Sequence, residues 1–191
     1  MKYILFLQIG LVILLTSCKN KKSNTVQSLA SDTSSFYDTK SFFTEEINDI
    51  KAQPYIITNF TSINDSKKDS SKINAAEFEK IAQQFIQKDI ANKELKPYYK
   101  ETVFRDLTTN SVVFDYTTKD STKAVQNLHV LINEETSKVN SIYIKSIESN
   151  KDSTIEGSFN WTKGESFIIV KTIAKSDGSS YTTQQFVNWH F

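Results

Sequence analysis

Alternation of apolar and polar residues with a period of two runs through the second half of the chain and constrains its fold most. From Tyr98 to the last residue this pattern recurs in short runs separated by a few polar residues. Successive side chains of a strand point to opposite faces, so each run predicts a strand. The connections are too short for crossover helices, and we therefore expect an antiparallel meander. The predicted strands are 99–107, 110–118, 124–133, 138–148, 154–162, 166–175 and 181–190.

A helix and a short hairpin are predicted upstream of this meander. Residues 41–51 place Phe42, Ile47 and Ile50 on one side of a helix. A proline follows at position 54 and ends the helix. Two short runs separated by a polar stretch come next and predict the hairpin, at 55–63 and 69–73.

The clearest helix lies between the hairpin and the meander, at 74–91. Asn74 is a good N-cap, and Glu77 follows at the spacing of a capping box. Apolar residues then recur at helical spacing, at Phe78, Ile81, Ala82, Phe85 and Ile90. Together these elements predict an α+β fold, with one or two N-terminal helices packed on a curved antiparallel β-meander of about six to seven strands.

The last three strands allow a prediction of their register. With two-residue turns at Gly164 and Gly178, Thr162 lies opposite Glu165. One face of the sheet then carries apolar residues from all three strands. These residues are Ile155, Phe159, Trp161, Ile168, Val170, Ala174, Tyr181, Val187 and Trp189.

The aromatic residues of this face have two interpretations. Trp161 and Trp189, with Phe159 and Tyr181, could line an apolar ligand pocket, or they could be core aromatics beneath the helices. The hairpin at 124–148 is apolar on both sides, which predicts a sheet that is curled or covered twice. Since a curled sheet encloses space, a ligand site and a packed core both stay open.

The start of the chain has the parts of an export leader. One cation, Lys2, precedes an apolar run at 3–15. This run is too short to cross a hydrocarbon core of roughly 30 Å comfortably. The segment therefore favours a signal peptide over a permanent transmembrane helix.

The leader ends in a lipobox, Leu15-Thr16-Ser17-Cys18. On this motif the chain resembles a bacterial lipoprotein. The resemblance implies a signal peptide at 1–17, a processing site formed by Leu15, Thr16 and Ser17, and acylation of the Cys18 thiol. Insertion of an acyl chain into a bilayer contributes about 0.8 kcal/mol of binding free energy per buried methylene, so two or three chains hold a protein on a membrane.

A tether separates this cysteine from the domain. Residues 18–35 are rich in Ser, Thr, Asn and Lys and cannot bury enough apolar surface to fold. The composition shows no second break, so 36–191 is interpreted as a single α+β domain. We expect the protein in the cell envelope, with its anchor in the outer membrane and its domain outside the cytoplasm.

The order of the parts also resembles that of a group of uncharacterised envelope lipoproteins of Bacteroidota. This resemblance rests on the segments 42–47, 88–90 and 161–167 and implies a fold without an activity. The hairpin at 128–144 is similar to the hairpin of PepSY-type and inhibitor-like envelope domains, although a glycine usually stands there in place of Ser137.

Two Asp-Ser-Thr triplets, at 120–122 and 152–154, are similar to the O-glycosylation acceptors of the same phylum. Both fall at predicted turns, where a glycan is tolerated. Asp-Ser is also ordinary turn chemistry. Glycosylation of Ser121 and Ser153 therefore stands beside a plain structural interpretation.

Composition excludes several function classes. With 23 Lys and Arg against 22 Asp and Glu, the net charge of +1 argues against a nucleic-acid binder. Only 4 Gly, 1 Cys and 2 His are present, too few for a glycine-rich cofactor loop, a disulfide framework or a Cys/His zinc site. We therefore expect no cofactor, no metal and no nucleic-acid partner.

The sequence carries no catalytic motif that we recognise, so we expect no catalytic residues. His129 and His190 lack the local partner that a general base needs. Our first hypothesis is a non-enzymatic envelope lipoprotein that binds an apolar ligand or a partner protein. An inhibitor-like interaction module without a pocket is the alternative. The least favoured alternative is a hydrolase that pairs two acids from the set Asp115, Glu134, Glu135 and Glu156.

Overall fold

The computed structural model describes residues 36–191, so the predicted signal peptide, lipobox and tether lie outside the described residues. Two α-helices, α1 (Thr39–Ala52) and α2 (Ala75–Ile86), and a 3₁₀ turn at Lys96–Tyr98 occur in this range. The strands are β1 (Ile56–Ile63), β2 (Lys67–Ile73), β3 (Tyr99–Asp106), β4 (Ser111–Thr118), β5 (Val125–Asn133), β6 (Val139–Ser149), β7 (Ser153–Thr162), β8 (Ser166–Lys175) and β9 (Ser180–His190).

All these strands form one antiparallel sheet in the order β2-β1-β9-β8-β7-β6-β5-β4-β3. From β3 to β9 each strand pairs with the next one in the chain, which confirms the meander and the α+β class. The meander has seven strands, and the whole sheet has nine, more than predicted, because the upstream hairpin adds two. The upstream hairpin is not separate. It extends the sheet through β1, where Ile57 pairs with Trp189 of β9.

Helix α2 begins at the predicted capping box. Asn74 Oδ1 accepts a hydrogen bond from the Glu77 N–H at 3.0 Å, and Glu77 Oε2 accepts one from the Asn74 N–H at 2.9 Å. These bonds satisfy backbone donors that a helix start leaves free. The helix ends at Ile86, earlier than predicted, while Ile90 is still buried in the core from the following loop.

Both helices pack on one face of the sheet, called here the helix-side face. Its centre is an aromatic cluster in which Trp161 is fully buried. The Trp161 ring lies 5.4 Å from that of Phe43 on α1 and 5.1 Å from that of Phe85 on α2. It also stacks on Phe167 at 5.1 Å. Burial of large aromatic surfaces is the main force that holds helices to the sheet.

The predicted register of β8 is wrong by one residue. Thr162 pairs with Ser166 instead of Glu165, because the turn at Gly164 has three residues. A slip of one residue moves every side chain of a strand to the other face. The residues predicted for the helix-side face, Ile168, Val170 and Ala174, therefore lie on the opposite face, and Phe167 and Ile169 are buried under the helices in their place.

Candidate functional site

The face opposite the helices, called here the open face, carries an apolar hollow near the β2 end of the sheet. Its floor consists of Phe60 on β1, Phe186 on β9 and Ile168 on β8, three residues that lie in one row across the strands. The two phenylalanine rings are 5.8 Å apart, and Phe60 is 41% exposed. The hollow has a volume of about 280 Å³.

Polar and charged groups surround this apolar floor. Gln184 of β9 lines one side, and Asp65, Lys68 and Asp69 of the β1–β2 hairpin line another. A dry floor with a charged rim resembles the centre and edge of protein interfaces. The hollow can therefore take an apolar group and bind polar groups around it.

The hairpin that forms the rim is fixed to the neighbouring strand β9. Its turn contains Asn64 and Asp65, both with positive φ (50° and 57°), a conformation that asparagine and aspartate tolerate. The Asn64 N–H donates to the Thr182 carbonyl at 2.8 Å, and Asn64 Oδ1 accepts from the Thr182 N–H at 2.8 Å. This double contact holds the rim in place over the sheet.

Of the four aromatic residues interpreted as either ligand-facing or core, three are buried in the core and Tyr181 lies at its margin. Trp161, Trp189 and Phe159 are all buried on the helix-side face, and the rings of the two tryptophans are 5.6 Å apart. Tyr181 lies on the same face, is half-buried, and has the Lys175 ammonium 5.6 Å from its ring centre. The space in which a ligand was expected is thus occupied by side chains of the protein.

A polar group occupies the middle of the open face. His129 Nδ1 lies 3.2 Å from Asp115 Oδ1, and the Asn127 amide donates to the same oxygen at 2.9 Å. The Tyr143 ring is next along the row, 5.8 Å from the imidazole ring. His129 therefore has a carboxylate partner that sequence patterns could not show, since it comes from the neighbouring strand.

Of the four acids considered for a hydrolase, Glu134 and Glu135 are neighbours in the β5–β6 turn, whereas Asp115 and Glu156 lie on separate strands. Glu134 pairs with Arg105 at 2.5 Å, and Glu135 accepts a hydrogen bond from Asn110 at 2.9 Å. Asp115 is on β4 and Glu156 on β7, so two further strands lie between them. With neighbouring strands roughly 4.8 Å apart, the last two acids are farther apart than the about 5–10 Å that a glycosidase pair needs.

A second hollow, of about 110 Å³, lies on the helix-side face near the end of α2. Burial lowers the pKa of Lys171, and the positive charge of Lys88 lowers it further. The Lys171 ammonium donates to Gln84 at 2.6 Å, and Lys88 pairs with Glu148. Since both ammonium groups have partners, these contacts connect α2 to the sheet.

The two triplet serines differ in exposure. Ser121 is exposed in the β4–β5 loop, whereas Ser153 is half-buried as the first residue of β7 and donates its N–H to Asn150 at 2.9 Å. Ser121 is thus the more accessible of the two for a glycan, and glycosylation at either position stays a prediction. Leu15, Thr16, Ser17 and Cys18 lie outside the described residues.

The comparisons add no relative to this geometry. Searches of known protein families, of curated proteins and of solved structures gave no match. Between residues 36 and 191, neither helix is long and apolar enough to span a bilayer. Within the same range, no group of three or more His, Cys, Asp or Glu side chains is placed to hold a metal ion.

Proposed function

We propose that this chain is a lipid-anchored protein of the cell envelope whose domain binds a partner protein through the open face of its sheet. The observation that carries the proposal is the hollow around Phe60, Ile168 and Phe186. Neither described helix covers this face, so the apolar floor is left in contact with water. Apolar patches rimmed by polar groups commonly mark interaction sites.

The exposure of the hollow favours a protein partner over a small molecule. Pockets that bind small ligands usually have about 300–1,000 Å³ and bury most of the ligand. This hollow has about 280 Å³, at the lower end of that range, and its floor is open to water, since Phe60 is 41% exposed. A space of this size suits one or two apolar side chains that project from another protein. We therefore infer that the partner places a side chain such as Leu, Met or Phe on the floor formed by Phe60, Ile168 and Phe186.

The rim supports a polar outer part of the same interface. Asp65 supplies a carboxylate and Lys68 an ammonium beside the apolar floor. Rim charges change association rates and salt dependence more than they change affinity. We expect the partner to present groups of complementary charge around its apolar side chain.

The anchor belongs to the same proposal. Acyl chains on Cys18 would hold the chain at the outer membrane, and residues 18–35 would act as the tether. At about 3.3 Å per residue, such a tether reaches up to roughly 60 Å. The domain could then meet partners well clear of the lipid headgroups.

The test compares two matched serine variants of the full chain. Phe60 and Ile56 lie on the same strand and the same face, and each is 41% exposed. Only Phe60 lines the hollow. Envelope proteins are cross-linked to the wild type, to Phe60→Ser and to Ile56→Ser, and the captured proteins are quantified by mass spectrometry.

We expect one envelope protein to be captured equally by the wild type and by Ile56→Ser. Its captured amount should fall about tenfold or more with Phe60→Ser, as expected for an interface hot spot. Equal capture by all three chains would contradict the proposal. Native mass spectrometry of the extracted chain tests the ligand alternative. A reproducible extra mass that organic solvent removes would favour an apolar small molecule instead of a protein partner.

A further inference from the structure

We propose that two copies of this chain pair through strand β3, antiparallel and centred on Val103, so that their sheets become one continuous sheet. This inference goes beyond the proposed function, because it concerns the edge of the sheet and not the hollow. It rests on the charge pattern of β3, on its exposed apolar residues and on the exposure of Arg105.

Among residues 36–191, strand β3 is one edge of the sheet and pairs on one side only, with β4. Every second residue of an edge strand directs its N–H and C=O away from the sheet, where another strand can bind. Phe104, on this strand, is 41% exposed, and Leu107, just after it, is 79% exposed. The edge therefore offers both backbone groups and apolar surface to a second strand.

The charges of β3 are self-complementary about Val103. In a pair centred on this residue, Lys100 faces Asp106 of the second copy, and Glu101 faces Arg105. The two-fold symmetry repeats each contact, so four pairs of opposite charge form. A two-fold axis perpendicular to the sheet keeps the helix-side faces of both copies on the same side of the joined sheet. Only every second possible register of the two strands satisfies this condition.

The neighbouring register has no such complementarity. Centred on Thr102, the pairing sets Lys100 opposite Phe104 and Glu101 opposite Val103. Opposite charges across two strands stabilise a sheet and like charges destabilise it. The charge pattern thus selects the register centred on Val103.

The Arg105 side chain is available for this pairing. The Glu101 carboxylate already contacts Tyr116, the residue opposite it on β4, and one of its oxygens is buried there. The Arg105 side chain, which would face it from the second copy, is 61% exposed and already contacts Glu134 at 2.5 Å. A guanidinium has five N–H donors, so Arg105 can bind both carboxylates.

The other edge of the sheet provides a comparison within the same molecule. In β2, a pair centred on the middle residue Ser70 sets Lys68 opposite Lys72 of the second copy, twice. Lysines on an edge strand commonly prevent edge-to-edge pairing. The edge at β2 is therefore protected against self-association, whereas the edge at β3 is not.

The pairing is also compatible with the proposed anchor. The described chain starts at Phe36, whose ring packs 4.7 Å from Tyr116 on the helix-side face of β4. A two-fold axis perpendicular to the sheet keeps both copies of Phe36 on the same side. Two tethers could then lead to one membrane.

The test measures the mass of the full chain in detergent by sedimentation and native mass spectrometry over a range of concentrations. We expect a concentration-dependent dimer for the wild type. Lys100→Glu sets a carboxylate opposite Asp106 at both ends and should weaken the dimer about tenfold or more. Lys151→Glu, the same change in the exposed turn between β6 and β7, should leave it unchanged.

Charge reversal provides a second, independent readout. Arg105→Glu should weaken the dimer, and the double variant Glu101→Arg with Arg105→Glu should restore it, because the pairs are re-formed with opposite sign. Circular dichroism checks that each variant is folded. If the double variant does not fold, the result for Lys100→Glu alone decides the test. A wild type that stays monomeric at every concentration would overturn the proposal. Equal effects of Lys100→Glu and Lys151→Glu, or a folded double variant that stays monomeric, would also overturn it.

Discussion

At the scale of single residues, four aspartates at turns and at one helix start are held in their ionised form. Hydrogen bonds from neighbouring residues lower the pKa of each carboxyl below its ordinary value of 3.8. For Asp38 the main donor is the backbone N–H of Ser41. For the other three it is a side-chain hydroxyl: Thr108 for Asp106, Thr122 for Asp120 and Ser179 for Asp177. A lowered folded pKa stabilises the fold above the unfolded pKa. This stabilisation is lost as the pH falls through the folded pKa.

We therefore expect stability to fall below about pH 4, and to fall less steeply when these acids are replaced. The triple variant Asp106→Asn, Asp120→Asn and Asp177→Asn tests this, with urea unfolding measured between pH 2 and pH 7. The variant should be less stable than the wild type at neutral pH and should approach it at the acid end. Parallel curves for the two chains would contradict the assignment.

The indole of Trp161 is a second case at this scale. Its ring is fully buried, and its Nε1 has no hydrogen-bond partner in the described part of the chain. Replacement by alanine leaves a large cavity and should cost about 3–5 kcal/mol. Replacement by phenylalanine keeps most of the packing and removes a donor whose burial costs roughly 1–3 kcal/mol.

We expect Trp161→Phe to cost well under half as much as Trp161→Ala in urea unfolding at neutral pH. Both variants replace the same residue, so effects that depend on its position in the fold cancel in the comparison. Equal losses of stability would contradict packing of the ring as the main contribution of Trp161.

At the scale of elements, the turn at Gly178 fixes the register of β9 against β8. Gly178 has φ +85°, a left-handed conformation, and its N–H donates to the Lys175 carbonyl at 3.1 Å. An L-residue in this conformation costs roughly 1–2 kcal/mol, and asparagine costs less than others. No atom lies close to the position of an added Cβ, so the cost is conformational.

We expect Gly178→Ala to destabilise the protein by about 1 kcal/mol or more and Gly178→Asn by clearly less. Thermal and urea unfolding of both variants measure the difference. The order alanine worse than asparagine is the essential result. The reverse order would contradict a conformational origin.

The same turns show how far sequence reasoning reached. Alternation and capping residues are local properties, so the meander, both helices and the capping box at Asn74 were predictable. Turn length was not, because the turn at Gly164 fits two or three residues equally well in sequence. That single residue decides the face of Ile168, and with it the apolar floor of the hollow.

The hollow depends on a second contact that local patterns cannot show. Phe60 belongs to the upstream hairpin, and it meets Phe186 only because β1 pairs with β9, the last strand of the chain. Pairing between such distant segments follows from closure of the whole sheet. The aromatic residues Trp161 and Trp189 were ambiguous for another reason, because apolar residues of this kind line pockets and cores alike. Only the packing of the helices shows that the space around them is filled.

At the scale of the whole molecule, one sheet separates two different surfaces. The helix-side face is closed by α1 and α2, and the open face exposes the hollow at one end and the β3 edge at the other. A dimer through β3 would leave both hollows free at its outer ends. The proposed partner site and the proposed dimer edge can thus be used at the same time.

The most direct test of the central claim asks whether the hollow is protected from a thiol reagent while the protein is in its native membrane. Gln184 lines the hollow, whereas Thr117 lies exposed on the open face of β4. Each is replaced by cysteine in the full chain, and reaction with a thiol reagent is followed in membrane fragments and in purified protein, with the wild type as baseline. We expect Gln184→Cys to react much more slowly in membranes than after purification, while Thr117→Cys reacts equally in both. Equal reaction of Gln184→Cys in membranes and in purified protein would contradict a partner bound at the hollow.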